Sequence, residues 1–271
     1  MVPDSNTASS GRRVSRVRAA VTHLLISLLV AAIVAALVFG IWFPGPLRQF
    51  AGGISLFFLI TGVDVVCGPL LTLVIFNPLK QRRLIKLDLA VIGLVQLAAL
   101  AYGVHTLSYS RPVALVFEVD RFRAVTFADI DEDDAHSAPP WAQPWGLSGP
   151  RTIGIRSSAT SNEKMASIDS ALQGIEPSQR PSWWENFELS VPKVLKRAKD
   201  VALLRERYPD QAKLLNEALS DATKNPQPNE TTSPDALRWL PLVGRHSYDW
   251  VVLLDPVTAR IRGYVKLDGF F

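Results

Sequence analysis

ISLFFLITGVDVVCGPLLTLVIF, residues 54–76, is an apolar run of 23 residues interrupted near its middle by one ionisable side chain, Asp64. As an α-helix rising about 1.5 Å per residue it is roughly 35 Å long, enough to cross a hydrocarbon core of about 30 Å. A carboxylate at that depth is costly and normally faces a bundle interior, a watery cavity or a partner. Asp64 is therefore the first candidate functional residue.

Two similar runs flank this one. Residues 21–43, 54–76 and 85–107 are expected to be three transmembrane helices; between positions 21–43, 54–76 and 87–107 the only acids are Asp64 and Asp88, with no Lys or Arg. The composition agrees, with 48% hydrophobic residues and a mean hydropathy of +0.16.

The basic residues give the orientation. Arg12, Arg13, Arg16 and Arg18 precede the first run, and Lys80, Arg82, Arg83 and Lys86 lie between the second and third, whereas only Arg48 occupies the first loop. This positive-inside pattern places residues 1–20, a basic tail, and the 77–86 loop in the cytoplasm, and sends residues 108–271 to the far side, the periplasm in a bacterium and a lumen or the cell exterior in a eukaryote. The pI of about 9.3 suggests nucleic acid, but residues 108–271 carry 22 acidic and 20 basic side chains. The basic charge belongs to the membrane flanks, and a nucleic-acid surface is excluded. The one cysteine, Cys67, lies inside the second run, so the exported part holds together without a disulfide.

The first run is too long for a signal-peptide core and leads into Phe43-Pro44-Gly45-Pro46 rather than a small-residue cleavage site; it reads as an uncleaved anchor with Trp42 and Phe43 at the outer interface. In the second run, Thr61, Gly62, Asp64, Gly68 and Pro69 form the candidate surface for partner binding or close helix packing, with the Gly68-Pro69 pair expected to weaken the helical ladder. Counting residues from the inner face puts Asp64 and Gln96 both about 18 Å deep, so Gln96 is expected to bond Asp64. Ala31, Ala32 and Ala35 of the first run fall at the same level. Asp88 lies only about 6 Å deep, where it suits the first turn of the third helix or the basic loop, and with Gln96 it belongs to the same candidate surface for partner binding or helix packing. A separation of about 12 Å between the two aspartates, and Thr61-Gly62-Val63 before Asp64, argue against an intramembrane aspartyl protease.

After Ser108 the pattern is that of an α+β domain. PVALVFEVD and RFRAVTF read as a hairpin, Arg151–Ile155 as a strand, Ser161–Leu172 as a helix with a Ser-Asn-Glu cap, and Val191–Tyr208 and Asp210–Ser220 as helices. Residues 221–233, DATKNPQPNETTS, are expected to be flexible, and YDWVVLLD with RIRGYVKLD forms a terminal hairpin. Trp183 and Trp184 read as packing residues in preference to a ligand platform. His136 and His246 have no cysteine partners, the acidic run 128–134 lacks calcium-loop spacing, and no nucleophile elbow, P-loop or dinucleotide fingerprint occurs. No catalytic group, cofactor or metal is expected.

GVDVVCGPLLTLVIFNP (62–78), KLDLAVIGLVQLAALAYG (86–103), RPVALVFEVDRFR (111–123) and the Phe-Pro-Gly-Pro loop followed by Gly52-Gly53 are the strings by which the chain resembles the bacterial type IV pilin accessory proteins, over essentially its whole length. The resemblance implies a multi-pass inner-membrane protein, not an enzyme. It would act as a chaperone-like factor that stabilises a cognate pilin or assists its assembly, with the pilin, other pilus assembly proteins and the lipid bilayer as partners. The alternatives are a periplasmic sensor, for which the cytoplasmic segments are too short to carry an output module, and a membrane enzyme modifying pilin or lipid.

Overall fold

In an apolar medium a backbone N–H finds its acceptor only along its own helix, and the three apolar runs are helical in the computed structural model of the chain, which describes residues 15–50, 52–77, 79–146, 148–245 and 247–271. Arg12, Arg13, Pro78 and His246 lie outside the described residues. The elements in chain order begin with α1 (Arg16–Leu37), a π-helical turn at Val38–Trp42, the one-turn α2 (Leu47–Phe50), α3 (Gly53–Ile75) and α4 (Arg82–Ser110). They continue with β1 (Pro112–Glu118), β2 (Arg121–Thr126), β3 (Arg151–Ile155), α5 (Ser161–Leu172), β4 (Trp184–Asn186), α6 (Phe187–Arg197), β5 (Lys199–Asp200) and α7 (Val201–Arg207). The chain closes with α8 (Ala212–Thr223), β6 (Arg238–Val243), β7 (Trp250–Leu254) and β8 (Ile261–Val265).

Two units emerge, one from residues up to Leu37 with Ser55–Thr106, the other from Val38–Ile54 with Leu107–Phe271. In the first, α1, α3 and α4 are each long and apolar enough to cross a membrane. Their outer faces expose Leu25, Leu29, Phe58, Leu59, Val74 and Leu94, a continuous apolar girdle that lipid, not water, would cover. Cys67 lies on this exposed surface. Helices α3 and α4 meet closely at Gly103, where a methyl group would overlap the side chain of Ile60. Helix α4 starts at Arg82, earlier than the sequence suggests, which makes Asp88 its seventh residue. The first-turn position expected for Asp88 is corrected accordingly: the basic loop segment Arg82–Lys86 is helical, and the carboxylate is ion-paired with Lys80 at 2.7 Å.

The second unit is a mixed sheet in the order β4-β3-β1-β2-β6-β7-β8, with β5 also on β6. The expected hairpins are present as antiparallel β1–β2 and β7–β8; β3 runs parallel to β1 and β6 parallel to β2. Alternation along the strands sends successive residues to opposite faces. Leu240, Leu242, Val252 and Leu254 join Phe117, Phe122 and Val194 of α6 on one face. Trp239, Val251 and Leu253 join Val201, Leu204, Leu215 and Leu219 of α7 and α8 on the other. A third cluster holds Val116, Val125, Ile153 and Trp184.

Three local readings differ from the sequence. The helix expected over Val191–Tyr208 is broken: α6 ends at Arg197, Lys199 and Asp200 pair with Trp239 and Arg238, and Asp200 then caps α7 by accepting from Ala202 N at 3.0 Å. Helix α5 is capped one residue earlier than expected, by Thr160, whose hydroxyl accepts from Glu163 N at 3.1 Å. The segment expected to be flexible, 221–233, begins inside α8 and its loop is tied down by Glu230, both of whose carboxylate oxygens accept from Arg260 while Arg262 lies 3.1 Å away. Asp255 is held at the same place, with its Oδ2 accepting from Thr231 N at 2.8 Å.

Candidate functional site

The polar side chains of the three-helix unit converge on one another, as they must where water cannot satisfy them. Asp64 sits midway along α3, and Gln96 of α4 lies across it. The Gln96 amide donates from Nε2 to the main-chain carbonyl of Asp64 at 3.0 Å, and its Oε1 lies 2.6 Å from Nε2 of His23 in α1. The other ring nitrogen of His23, Nδ1, is 2.5 Å from the hydroxyl of Thr72, two turns along α3 from Asp64. An amide oxygen only accepts, so His23 donates from Nε2 and in its neutral form accepts from Thr72 at Nδ1. Turning the amide over would set its oxygen against the Asp64 carbonyl, so one arrangement alone satisfies the chain Thr72→His23→Gln96→Asp64 O.

Gly68 is what lets this chain of bonds form. It lies one turn from Asp64 on α3, and a methyl group there would overlap the Gln96 amide. Pro69, inside the same helix, has no N–H to return to the carbonyl of Val65, yet α3 continues unbroken to Ile75. Thr61 is buried and donates to Phe57 O at 2.7 Å within its own helix. Gly62 has nothing within 4 Å of where a methyl group would stand.

The Asp64 carboxylate takes no part in this network: its Oδ2 is buried and has no hydrogen-bond partner among the described residues. Asp64 is among the residues that line a cleft of about 250 Å³, with apolar residues of all three helices and His23, Ser27, Thr61 and Gln96. Of the residues singled out in the sequence, the structure brings Thr61, Asp64, Gly68 and Gln96 together. Asp88 is not among the cleft residues, and of the alanines at the level of Asp64 only Ala31 lines it. Gln96 reaches Asp64 as expected, but at the main chain, which leaves the side chain open. His23 was missed as a site residue. Its signal was an imidazole inside an apolar run, which has the same need of a partner as Asp64.

From His23, Ile26 and Gly93 a wider groove of about 720 Å³ runs along α1 and α4, with Arg18, Arg82 and Lys86 on its wall. Among the described residues no group of three or more His, Cys, Asp or Glu is placed to hold a metal ion.

The profile of the family described as "Fimbrial assembly protein FimB" matches residues 12–52. The fimbrial assembly protein of serogroup I from Dichelobacter nodosus is 34% identical over 249 residues, 92% of this chain and 93% of that protein. The serogroup E1 protein of the same organism is 33% identical over 248 residues, with the same coverage of each chain. A third, from serogroups C1 and C2, is 44% identical over 116 residues, 43% of this chain and 88% of that protein. No solved structure matches. With these alignments covering 92% of its length at 33–34% identity, the chain belongs to the fimbrial assembly protein family.

Proposed function

We propose that the chain is an accessory factor for type IV pilus assembly, which holds a cognate pilin in the inner membrane by receiving the pilin's apolar N-terminal helix at the Asp64 cleft. The observation that carries this reading is Asp64 on the lining of an apolar cleft with its buried Oδ2 unpartnered among the described residues. An unsatisfied buried acceptor costs about 1–3 kcal/mol, and a protein keeps such a group where something else satisfies it. A second transmembrane segment that brings a hydrogen-bond donor or a positive charge meets that need and fills the apolar cleft. The names of the relatives, fimbrial assembly proteins, support the assembly role. The distribution of Lys and Arg supports an inner-membrane topology with the N-terminus cytoplasmic and the mixed unit periplasmic. There the mixed unit faces the compartment that holds the pilin head. Asp88, paired with Lys80, is proposed to anchor the inner loop and to leave recognition to Asp64.

The test is genetic. Asp64→Ala in the chromosomal copy is expected to lower pilin abundance and surface pili to the level of the deletion strain, with the accessory protein itself present at normal abundance. Full piliation with Asp64→Ala would sink the proposal.

A further inference from the structure

A second site lies wholly within the mixed unit, and it does not depend on the Asp64 reading. The parallel ladder between β1 and β3 ends at Val116 and Ile153. Beyond it the strands part company: Phe117 and Glu118 pair with Phe122 and Arg121 of β2, while Gly154 and Ile155 pair with Glu185 and Trp184 of β4. The hairpin partner of β1 and the partner of β3 therefore lie toward opposite edges of the sheet. Phe117, Glu118 and Ile155, just past the end of this ladder, line a crevice. Here it measures about 400 Å³.

Its walls are of two kinds. Phe117, Val119, Ile155, Pro177 and Trp183 supply apolar surface, and the last turns of α6 supply Lys193, Lys196 and Arg197. Lys193 is 3.5 Å from Glu185, but Lys196 and Arg197 have no ion pair or hydrogen bond among the described residues. Cations suit a helix C-terminus, which accounts for their presence near the end of α6 but not for three on the wall of an apolar crevice. Glu118, also on the lining, is already satisfied: it accepts from the Ser178 hydroxyl at 2.9 Å and lies 3.3 Å from Arg123. It adds no free negative charge. At the rim Val119 is exposed, and its φ of 57 is the one that the two-residue turn between β1 and β2 requires.

We infer that this crevice is a docking site for an extended acidic segment of a partner protein, its carboxylates meeting Lys193, Lys196 and Arg197 and its apolar side chains packing between Val119 and Trp183. Charge complementarity selects an anion, and the aromatic and aliphatic walls select one that carries apolar side chains. The concave form suits an extended chain better than a bilayer surface, which needs a flat or protruding face.

The test uses the full chain in nanodiscs of zwitterionic lipid and a fluorescein-labelled decapeptide alternating Glu and Val, with a Lys-for-Glu peptide as control. Saturable anisotropy is expected with the acidic peptide and binding at least about tenfold weaker with the basic one. The double variant Lys196→Glu, Arg197→Glu should weaken acidic-peptide binding at least about tenfold, Lys196→Ala, Arg197→Ala should weaken it less, and Lys213→Glu on α8 should leave it unchanged. No saturable binding, equal binding of both peptides, or wild-type affinity in both double variants would overturn the inference. So would failure to bind the peptide together with capture of the nanodiscs by phosphatidylglycerol vesicles, which would assign the cations to a membrane surface.

Discussion

The amide of Gln96 donates to the main-chain carbonyl of Asp64 at 3.0 Å and leaves that residue's carboxylate Oδ2 without a partner among the described residues. The frame around the acid is complete while the acid itself is not. A structural carboxylate would show the reverse, because in lipid the side chain is the costlier group to leave open. Asp64→Ala should consequently leave the purified chain as stable as the wild type or more stable, by up to about 3 kcal/mol, while piliation falls. Thermal unfolding in detergent reads the first effect, and a clear loss of stability would mean that Asp64 is internal glue.

Gly68 and Gly62 make a matched pair of probes on one helix. A methyl group at Gly68 overlaps the Gln96 amide, whereas one at Gly62 meets nothing within 4 Å. Gly68→Ala is expected to destabilise the chain by about 1–3 kcal/mol through forced displacement of Gln96. Gly62→Ala should be neutral to stability, and if it nevertheless reduces pilin abundance, Gly62 faces the partner.

His23 and Gln96 are coupled through a contact of 2.6 Å. Their removal should therefore be non-additive: in a double-mutant cycle with His23→Ala and Gln96→Leu, a coupling of about 0.6 kcal/mol, the average for hydrogen bonds between membrane helices, is expected. Additive effects would show that the His23–Gln96 bond does not form.

Glu230 provides a pH-dependent test in the mixed unit. Its bonds with Arg260, supported by Gln227 N and the nearby Arg262, hold its carboxyl at about 2, below the ordinary 4.5. A depressed folded-state value gives stability that is full above the unfolded value and lost as pH falls through the folded one. The anchor of the 224–233 loop should then weaken between about pH 4.5 and 2. Glu163, also lowered to about 2 by Arg156, titrates in the same window, so the loop is isolated by mutation. Glu230→Gln at pH 7 is expected to cost about 3 kcal/mol, because Arg262, whose side chain is 2% exposed, loses one of its two acidic neighbours. Limited proteolysis within residues 224–233 should rise in this variant.

The helical unit was readable because lipid imposes length and apolarity on each segment independently of its neighbours. The two hairpins were readable because β1–β2 and β7–β8 join by short turns within alternating patterns. Strand β6 was not. It carries Pro241 at its centre, which argues against a strand within a sheet. Here β6 pairs with β5 only at Arg238 and Trp239 and with β2 only at Leu242 and Val243, so the proline falls between two partial ladders. The break of the helix over Val191–Tyr208 rests on the same long-range pairing, Lys199 with Trp239. The 221–233 segment has the composition of a free linker, and what fixes it, Arg260 and Arg262, comes from thirty residues further on. At the candidate site, depth counting matched Gln96 to Asp64. It did not reveal which atoms of Asp64 are bonded, since main chain and side chain share one sequence position.

Docking of a pilin helix at the Asp64 cleft is read most directly by a photocrosslink from Leu97, which lines the cleft and makes no bond in the His23–Gln96 network, in cells expressing the cognate pilin. The expected result is an adduct to the pilin's N-terminal helix that disappears with Asp64→Ala at unchanged protein abundance. An adduct of equal yield with Asp64→Ala, or none from Leu97 in piliated cells, would contradict it.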